Sequence, residues 1–125
     1  TKERLELIAK SMYKEFKNVI EFRDDSWWTT EVLSKLKKEN LTFCGIDYPG
    51  LPNDPIITNK TVYYRFHGRP HLYYSAYKRT DLARIADVIL TSKKITDVYI
   101  YFNNTATEAA IKNAGSLKKY IGDLV

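Results

Sequence analysis

The chain alternates between two spacings of apolar residues, and these spacings predict helices and strands in turn. Apolar residues three or four positions apart predict amphipathic helices, whereas strict alternation predicts half-buried strands. The predicted helices are residues 2–16, a segment through 32–36 that ends near Asn40, residues 82–90, and a last helix through 109–117. The predicted strands are residues 18–23, 41–46, 61–66 and 97–102.

The segments between these elements carry turn and capping signals. Residues 47–60 hold three prolines and Gly50, so they are predicted to form a loop, as is the aromatic-rich segment 67–79. Thr105 and Glu108 match a capping box, which predicts where the last helix begins. This order of elements predicts an α/β domain with a parallel sheet and helical crossovers.

Three of the four predicted strands are too polar for a sheet that is buried on both faces. On the first strand, Ile20 and Phe22 point to one face, while Glu21 and Arg23 point to the other. Because the inner face of a (β/α) barrel leads to a polar mouth, this pattern predicts half of a TIM-like barrel with all helices on one side. A doubly wound sheet is the alternative, and it would carry helices on both faces.

The later strands follow the same alternation. The inward positions are Tyr63, Arg65 and His67 on the third strand, and Tyr99, Tyr101 and Asn103 on the fourth. The second strand is ambiguous, but grouping Asp47 with Phe43 and Gly45 would turn these three residues inward as well. The inward tyrosines are predicted either to line a pocket or simply to fill a wide barrel.

Polar groups at the strand ends suggest a catalytic mouth. The group comprises Glu21, Arg23, Asp47, Arg65, His67 and Asn103. Arg23 and Arg65 are predicted to bind an anion. His67 or Glu21 would act as the general acid–base, and Asp47 would orient it. An internal ion-pair network is the alternative, because buried charges must be paired.

The segment Asn103-Asn104-Thr105 lies where the last strand is predicted to enter the last helix. Free backbone N–H groups at a helix N-terminus bind anions, so this turn is a second candidate for anion binding. The alternative is that Asn104 and Thr105 only cap the helix.

Several motifs resemble the C-terminal half of the YecE-like family, also called domain of unknown function 72. They are Glu21-Phe-Arg23 with Ser26-Trp27, Asp47-Tyr-Pro49, Tyr64-Arg-Phe-His-Gly-Arg69, Tyr73 with Tyr77, and Tyr101-Phe-Asn-Asn104. The resemblance runs from about residue 1 to residue 120. It implies an eight-stranded TIM-like barrel of unestablished activity, of which this chain supplies the fifth to eighth strands.

Further expectations follow from that resemblance. Residues 1–125 would be a single domain, the C-terminal half of the barrel, and the missing N-terminal half or a second copy would complete it. Phosphate often binds at the loops after strands seven and eight of TIM barrels, which adds Arg69 and Asn104 as ligand-binding candidates. Tyr73 and Tyr77 lie in a loop over the same mouth and are candidate lid residues.

Composition narrows the class of protein. With 44% hydrophobic and 28% charged residues among 125, the chain is neither disordered nor fibrous. No apolar run is long enough to cross a membrane, and the single cysteine, Cys44, favours a reducing cytoplasm. The net charge of +5 favours anionic partners. Its lysines are predicted to lie on outer helices away from the mouth, so nucleic-acid binding is a minority interpretation.

The residues needed for several other chemistries are absent from the sequence. His67 and His71 are separated by Gly68 and Pro70 and lack a third ligand, so no zinc site is predicted. A hard-metal site formed by Glu21 and Asp47 is an open alternative with no supporting motif. No cofactor motif is found either. The prediction is an enzyme that acts on a phosphorylated or carboxylated small molecule. A non-catalytic ligand-binding barrel and a nucleic-acid protein are the alternatives.

Overall fold

The computed structural model describes residues 2–124 and shows a four-stranded sheet in which all neighbouring strands run parallel. The strand order is β1-β2-β3-β4, the order in which the strands follow in the chain. The elements are α1 (Lys2–Ser11), β1 (Val19–Ile20), a 3₁₀ turn (Asp25–Trp27), α2 (Thr30–Lys38), β2 (Thr42–Asp47), β3 (Thr61–Phe66), α3 (Arg79–Leu90), β4 (Asp97–Phe102) and α4 (Ala109–Leu124).

One face of the sheet, the outer face, carries all four helices. Val62, Tyr64 and Phe66 of β3 pack against α3 and α4, in a cluster that includes Leu82 and Leu117. Phe22 and Phe43 pack against α1 and α2 in a second cluster with Leu5, Val32, Leu36 and Leu41. Because these helices share one face, the doubly wound alternative is excluded. The fold is α/β and is consistent with part of a TIM-like barrel.

The opposite face, the inner face, has no helix packed on it from residues 2–124. Tyr63, Tyr99 and Tyr101 lie there side by side, with ring centroids 6.0 Å and 5.1 Å apart for the two pairs that include Tyr63. Tyr101 is 48% exposed and Tyr99 is 40% exposed. The strand alternation that predicted these positions is therefore confirmed for β3 and β4.

The second strand departs from the predicted register. Gly45 lies opposite Tyr64 and Asp47 opposite Phe66, so both belong to the outer face. Phe43 is fully buried beneath α1 and α2, and the prediction that it points inward is wrong. The inward residues of β2 are instead Cys44 and Ile46, opposite Tyr63 and Arg65. Every residue of β2 is buried, so its sequence lacks the alternation that would have revealed the register.

Two helix boundaries also differ from the prediction. Helix α1 ends at Ser11, whose hydroxyl donates to the Ile8 carbonyl at 2.8 Å, so the chain leaves the helix before Phe16. Helix α4 begins at Ala109, and the predicted capping box of Thr105 and Glu108 does not form. The hydroxyl of Thr107 instead accepts from the Ala109 N–H at 3.1 Å.

Candidate functional site

The inner face ends, at the carboxyl side of the strands, in a connected group of side chains from three segments. This inner-face cluster consists of Glu21, Arg23, Arg65, His67 and Asn103. The Glu21 carboxylate accepts from Arg23 Nε at 2.5 Å through Oε1 and from Arg65 Nη1 at 2.6 Å through Oε2. Arg65 Nε donates to Asn103 Oδ1 at 3.0 Å. Five of the six residues predicted to form the mouth are therefore brought together.

The alternation of the strands explains this convergence. Arg65 points inward from β3, and Glu21 and Arg23 lie in the segment that directly follows β1, the strand paired with β2. Asn103 directly follows β4, and its N–H donates to the Phe66 carbonyl, which continues the ladder between the strands. Side chains at neighbouring carboxyl ends of parallel strands share one edge, so residues distant in sequence meet there.

Two guanidinium groups control the ionisation of Glu21. Its side chain is only 16% exposed, and burial alone would raise the pKa of the carboxyl group. The hydrogen bonds and charges of Arg23 and Arg65 outweigh burial and hold that pKa below its usual range. The lowered pKa favours the carboxylate form of Glu21, which can accept but not donate a proton, and its role as the general acid–base stays a prediction.

His67 is the most deeply buried titratable group of the cluster, with 1% of its side chain exposed. Its Nε2 lies 3.4 Å from Glu21 Oε1, and neither ring nitrogen forms a hydrogen bond with the described part of the chain. Burial lowers the pKa of His67, and the nearby arginines act in the same direction, against the opposing charge of Glu21. The imidazole is therefore neutral at neutral pH and able to accept a proton.

Two neighbours of the cluster were missed as site residues. The ring of Tyr48 lies under the Arg23 guanidinium at 4.9 Å and meets the His67 ring edge-on at 5.6 Å. Its position directly after β2, beside the strand ends, was the available signal. Cys44 Sγ lies 3.7 Å from Glu21 Oε2, and burial raises the pKa of this thiol to about 12. Cys44 is thus a protonated, buried neighbour, as its prediction as a core residue implies.

Asp47 and Arg69 do not join the cluster. The outward register of β2 places Asp47 on the helix-covered side, where Oδ1 lies 2.6 Å from Arg69 Nε. Arg69 Nη2 also donates to the carbonyls of Tyr48 and Leu51. The prediction that Asp47 orients His67 or Glu21 is therefore wrong. Arg69 therefore stabilises the loop after β2, and its guanidinium group binds these partners rather than the inner-face cluster.

Asn104 lies beside Asn103 in sequence but on the other side of the sheet. It is fully buried, and its Nδ2 donates to Ser75 O and to Asn113 Oδ1, each at 3.0 Å. Asn104 therefore connects the segment after β3 to α4. Since α4 begins only at Ala109, the prediction that this turn forms a helix N-terminus for an anion is also wrong.

The two candidate lid tyrosines have different environments. Tyr77 is buried, and its hydroxyl accepts from the Gly68 N–H at 2.8 Å, so the prediction that it forms part of a lid is wrong. Tyr73 is 43% exposed, and its ring centroid lies 6.5 Å from that of His67. Its backbone is left-handed, with φ 66°, and its N–H donates to the His67 carbonyl at 2.7 Å. Tyr73 therefore remains a candidate to cover the cluster.

Two further properties concern ligands and membranes. Among residues 2–124, no three His, Cys, Asp or Glu side chains gather closely enough to hold a metal ion. Over the same residues, no helix has both the length and the apolar character needed to cross a membrane.

Comparison with known proteins places the chain in a family. Residues 1–124 match the family described as "Protein of unknown function DUF72". A search of curated proteins gives no match. A DUF72 family protein from Thermotoga maritima is 30% identical, with a TM-score of 0.84 over 96% of this chain and 51% of its own. One from Enterococcus faecalis is 25% identical, with a TM-score of 0.85 over 95% of this chain and 53% of its own.

The chain thus spans about half the length of these solved structures. Both share its arrangement of strands and helices, and both are described only as DUF72 family proteins. The match over nearly the whole chain agrees with the motifs that first suggested the resemblance. The chain belongs to DUF72, a family of proteins of unknown function.

Proposed function

We propose that the inner-face cluster binds a small anion, phosphorylated or carboxylated, and that the protein is an enzyme in which His67 accepts a proton from the bound molecule. The observation that carries this proposal is the bridge that Glu21 makes between Arg23 and Arg65. One carboxylate holds two guanidinium groups in place at the carboxyl ends of the strands. Active sites of TIM-like barrels lie at this end.

The bridge leaves donors free for a ligand. Arg23 uses only Nε, and Arg65 uses Nε and Nη1, for hydrogen bonds with the described residues. The remaining guanidinium nitrogens are available to an anion, and planar guanidinium groups suit phosphate and carboxylate oxygens. Arg23 is 45% exposed and Arg65 30% exposed, so solvent and ligand reach both side chains.

The charge balance of the cluster also favours an anion. Two arginines and one carboxylate leave one net positive charge, since burial keeps His67 neutral. A neutral imidazole can take a proton from a hydroxyl group of the bound molecule that lies next to its anionic group. In this arrangement Glu21 is a positioning residue that holds the two arginines, and Asn103 holds Arg65 from the other side.

Phosphate binding tests whether the arginines of the inner-face cluster bind an anion. We expect inorganic phosphate to raise the thermal midpoint of the intact protein, and Arg65→Gln to abolish this rise. Arg84→Gln is the matched control, because Arg84 is also a paired arginine, bound to Asp54 through Nη1 at 2.7 Å, but lies outside the cluster. An equal loss in both variants, or an unchanged rise in Arg65→Gln, contradicts the proposed binding site.

A panel of phosphoesters, sugar phosphates and carboxylates tests the enzymatic step. We expect turnover of at least one class, and His67→Gln to abolish turnover while phosphate binding persists. The alternative, a ligand-binding protein without catalysis, is favoured by the burial of His67, whose side chain is 1% exposed. Phosphate binding without turnover across the panel would support that alternative, and turnover that survives His67→Gln would contradict the role of His67.

A further inference from the structure

A groove lies at the opposite end of the sheet from the inner-face cluster. It has a volume of about 1140 Å³ and passes the amino ends of β2, β3 and β4 at Thr42, Thr61 and Asp97. A six-residue strand separates the two ends by roughly 20 Å, since each residue advances about 3.3 Å. The groove is therefore a separate feature, and no motif or comparison assigns a role to it.

Lysines dominate the lining of this groove. Six of them contribute to it: Lys14, Lys17, Lys37, Lys60, Lys93 and Lys94. Only two acidic residues, Glu15 and Asp97, lie among them, and Asp97 is already paired with Lys17 at 2.7 Å. We call this feature the lysine groove. Its excess of positive charge is most of the net charge of +5 that the whole chain carries.

Most of these lysines have no partner within the described residues. Apart from Lys17, none of the groove lysines forms an ion pair between residues 2 and 124. Lys35 on α2 gives a contrast, because it is 18% exposed and bound to both Glu6 and Glu39. Neighbouring like charges that lack carboxylate partners repel one another, so such a cluster is stabilised when an anion binds.

An exposed aromatic side chain accompanies the charges. Phe16 lines the groove with 67% of its surface exposed, and Tyr13 next to it is 70% exposed. Their rings meet edge to face with centroids 6.4 Å apart. Both lie in the segment after α1 rather than in either core cluster. A basic groove with an exposed ring is the combination that holds a phosphate backbone and stacks a base.

We propose that the lysine groove binds single-stranded nucleic acid, with its lysines on the phosphates and Phe16 stacked against a base. Asn40 and Asn59 also line the groove and offer hydrogen-bonding groups to sugars and phosphates. A concave groove suits a flexible strand, whereas a bilayer surface would need a flat or convex patch. The proposal is independent of the function proposed for the inner-face cluster.

Fluorescence anisotropy of labelled oligo-dT and oligo-U, each about 15 nucleotides long, tests this proposal on the intact protein. The test variant combines Lys60→Ala with Lys94→Ala, and the matched control combines Lys118→Ala with Lys119→Ala on the exposed side of α4. We expect the groove variant to bind about tenfold more weakly and to reduce the salt slope by about 1.4. The control should bind within about twofold of the unaltered protein.

Phe16→Ala tests the stacking contact separately. Because Phe16 is exposed, its removal leaves the core intact, and we expect affinity to fall roughly fivefold or more with the salt slope unchanged. An equal loss of affinity in the groove variant and the α4 control would overturn the proposal. So would tighter binding to duplex DNA than to either single strand, or binding only to phosphatidylserine vesicles and to neither oligonucleotide at about 50 mM salt.

Discussion

The two faces of β3 and β4 carry aromatic side chains of the same kind in two different environments. On the outer face, Tyr64 and Phe66 are almost completely buried, and the Tyr64 hydroxyl donates to the Asn53 carbonyl at 2.6 Å. On the inner face, Tyr99 and Tyr101 are 40% and 48% exposed, and their rings stack on Tyr63. The outer aromatics are part of the core, whereas the inner ones form a surface that the described residues leave open.

The polar groups of the two faces differ in the same way. On the outer face, Tyr77 is paired with the Gly68 N–H and Asn113 with the backbone of Tyr77, although Asn104 Oδ1 is buried without a partner within residues 2–124. On the inner face, His67 is buried with both ring nitrogens unpartnered within residues 2–124. Burial without partners lowers stability, so an unpaired group is typical of a surface shaped for binding or chemistry. The outer face therefore stabilises the fold, and the inner face is the one suited to a ligand or partner.

The largest expected difference between the faces is in stability. Phe66 is 1% exposed and packs on Tyr64, Tyr77 and Phe102 with centroid distances of 4.8 Å. Phe66→Ala would leave a cavity, and we expect it to lower the free energy of unfolding by about 3–5 kcal/mol. Tyr101→Ala should change it by at most about 1 kcal/mol, because that side chain is half exposed. Urea denaturation measures both, and equal effects would contradict the distinction between the faces.

Gly68 directly follows His67, and replacing it is expected to have the next largest effect on stability. Its φ is +103°, and a Cβ there would lie 2.7 Å from His71 O and 2.8 Å from Tyr73 N. We expect Gly68→Ala to lower the free energy of unfolding by up to about 3 kcal/mol, because backbone strain and the clash with Tyr73 act together. Gly50→Ala is the control, because Gly50 has a similar φ of +81° but no atom within 4 Å. Backbone strain alone should lower the free energy of unfolding of Gly50→Ala by about 1–2 kcal/mol. If urea denaturation gives the same loss for both variants, the close approach to Tyr73 has no role in stability.

The openness of the inner face leads to a prediction about assembly. Exposed strand edges and an uncovered aromatic surface favour association, so we expect further β/α units to cover this face. They would come from additional chain, as the roughly twofold longer solved relatives suggest, or from a second copy. Alone, the 125-residue chain should dimerise or be only marginally stable. Tyr101→Arg should weaken such a dimer by about tenfold, or about 1.4 kcal/mol. Sedimentation that shows a stable, cooperatively folding monomer would rule out this prediction.

The sequence predicts the outer face better than the inner face, for a physical reason. Helix and strand positions follow from apolar periodicity, which reports burial directly. That signal placed Tyr64 and Phe66 in the core and Arg65 and His67 on the other side. It failed for β2, since a strand buried on both sides has no alternation, and Asp47 was assigned to the wrong face.

Long-range pairing accounts for the remaining differences. Arg69, Tyr77 and Asn104 have the residue types of a binding site, yet their partners lie on other segments and use their polar atoms for structure. The lysine groove was missed for the same reason. Lys37 and Lys94 appear as solvated helix ends in the sequence, and only the fold brings them to one groove with Lys14.

A pH dependence of stability should separate His67 from Glu21. Burial lowers the pKa of His67 below 6.5, with Arg65 and Arg23 acting in the same direction and Glu21 opposing them. As pH falls below 6.5, the unfolded chain therefore binds a proton that the folded protein does not, and stability decreases. One proton limits the slope to about 1.4 kcal/mol per pH unit. The pKa of Glu21 is also lowered, but from 4.5, so its contribution to stability is lost only in more acidic solution.

Urea titrations between pH 6.5 and pH 4.5 should thus show a loss of stability that His67→Gln removes and that His71→Gln, on the exposed loop, retains. A loss that persists in His67→Gln would show that the buried imidazole is not its source.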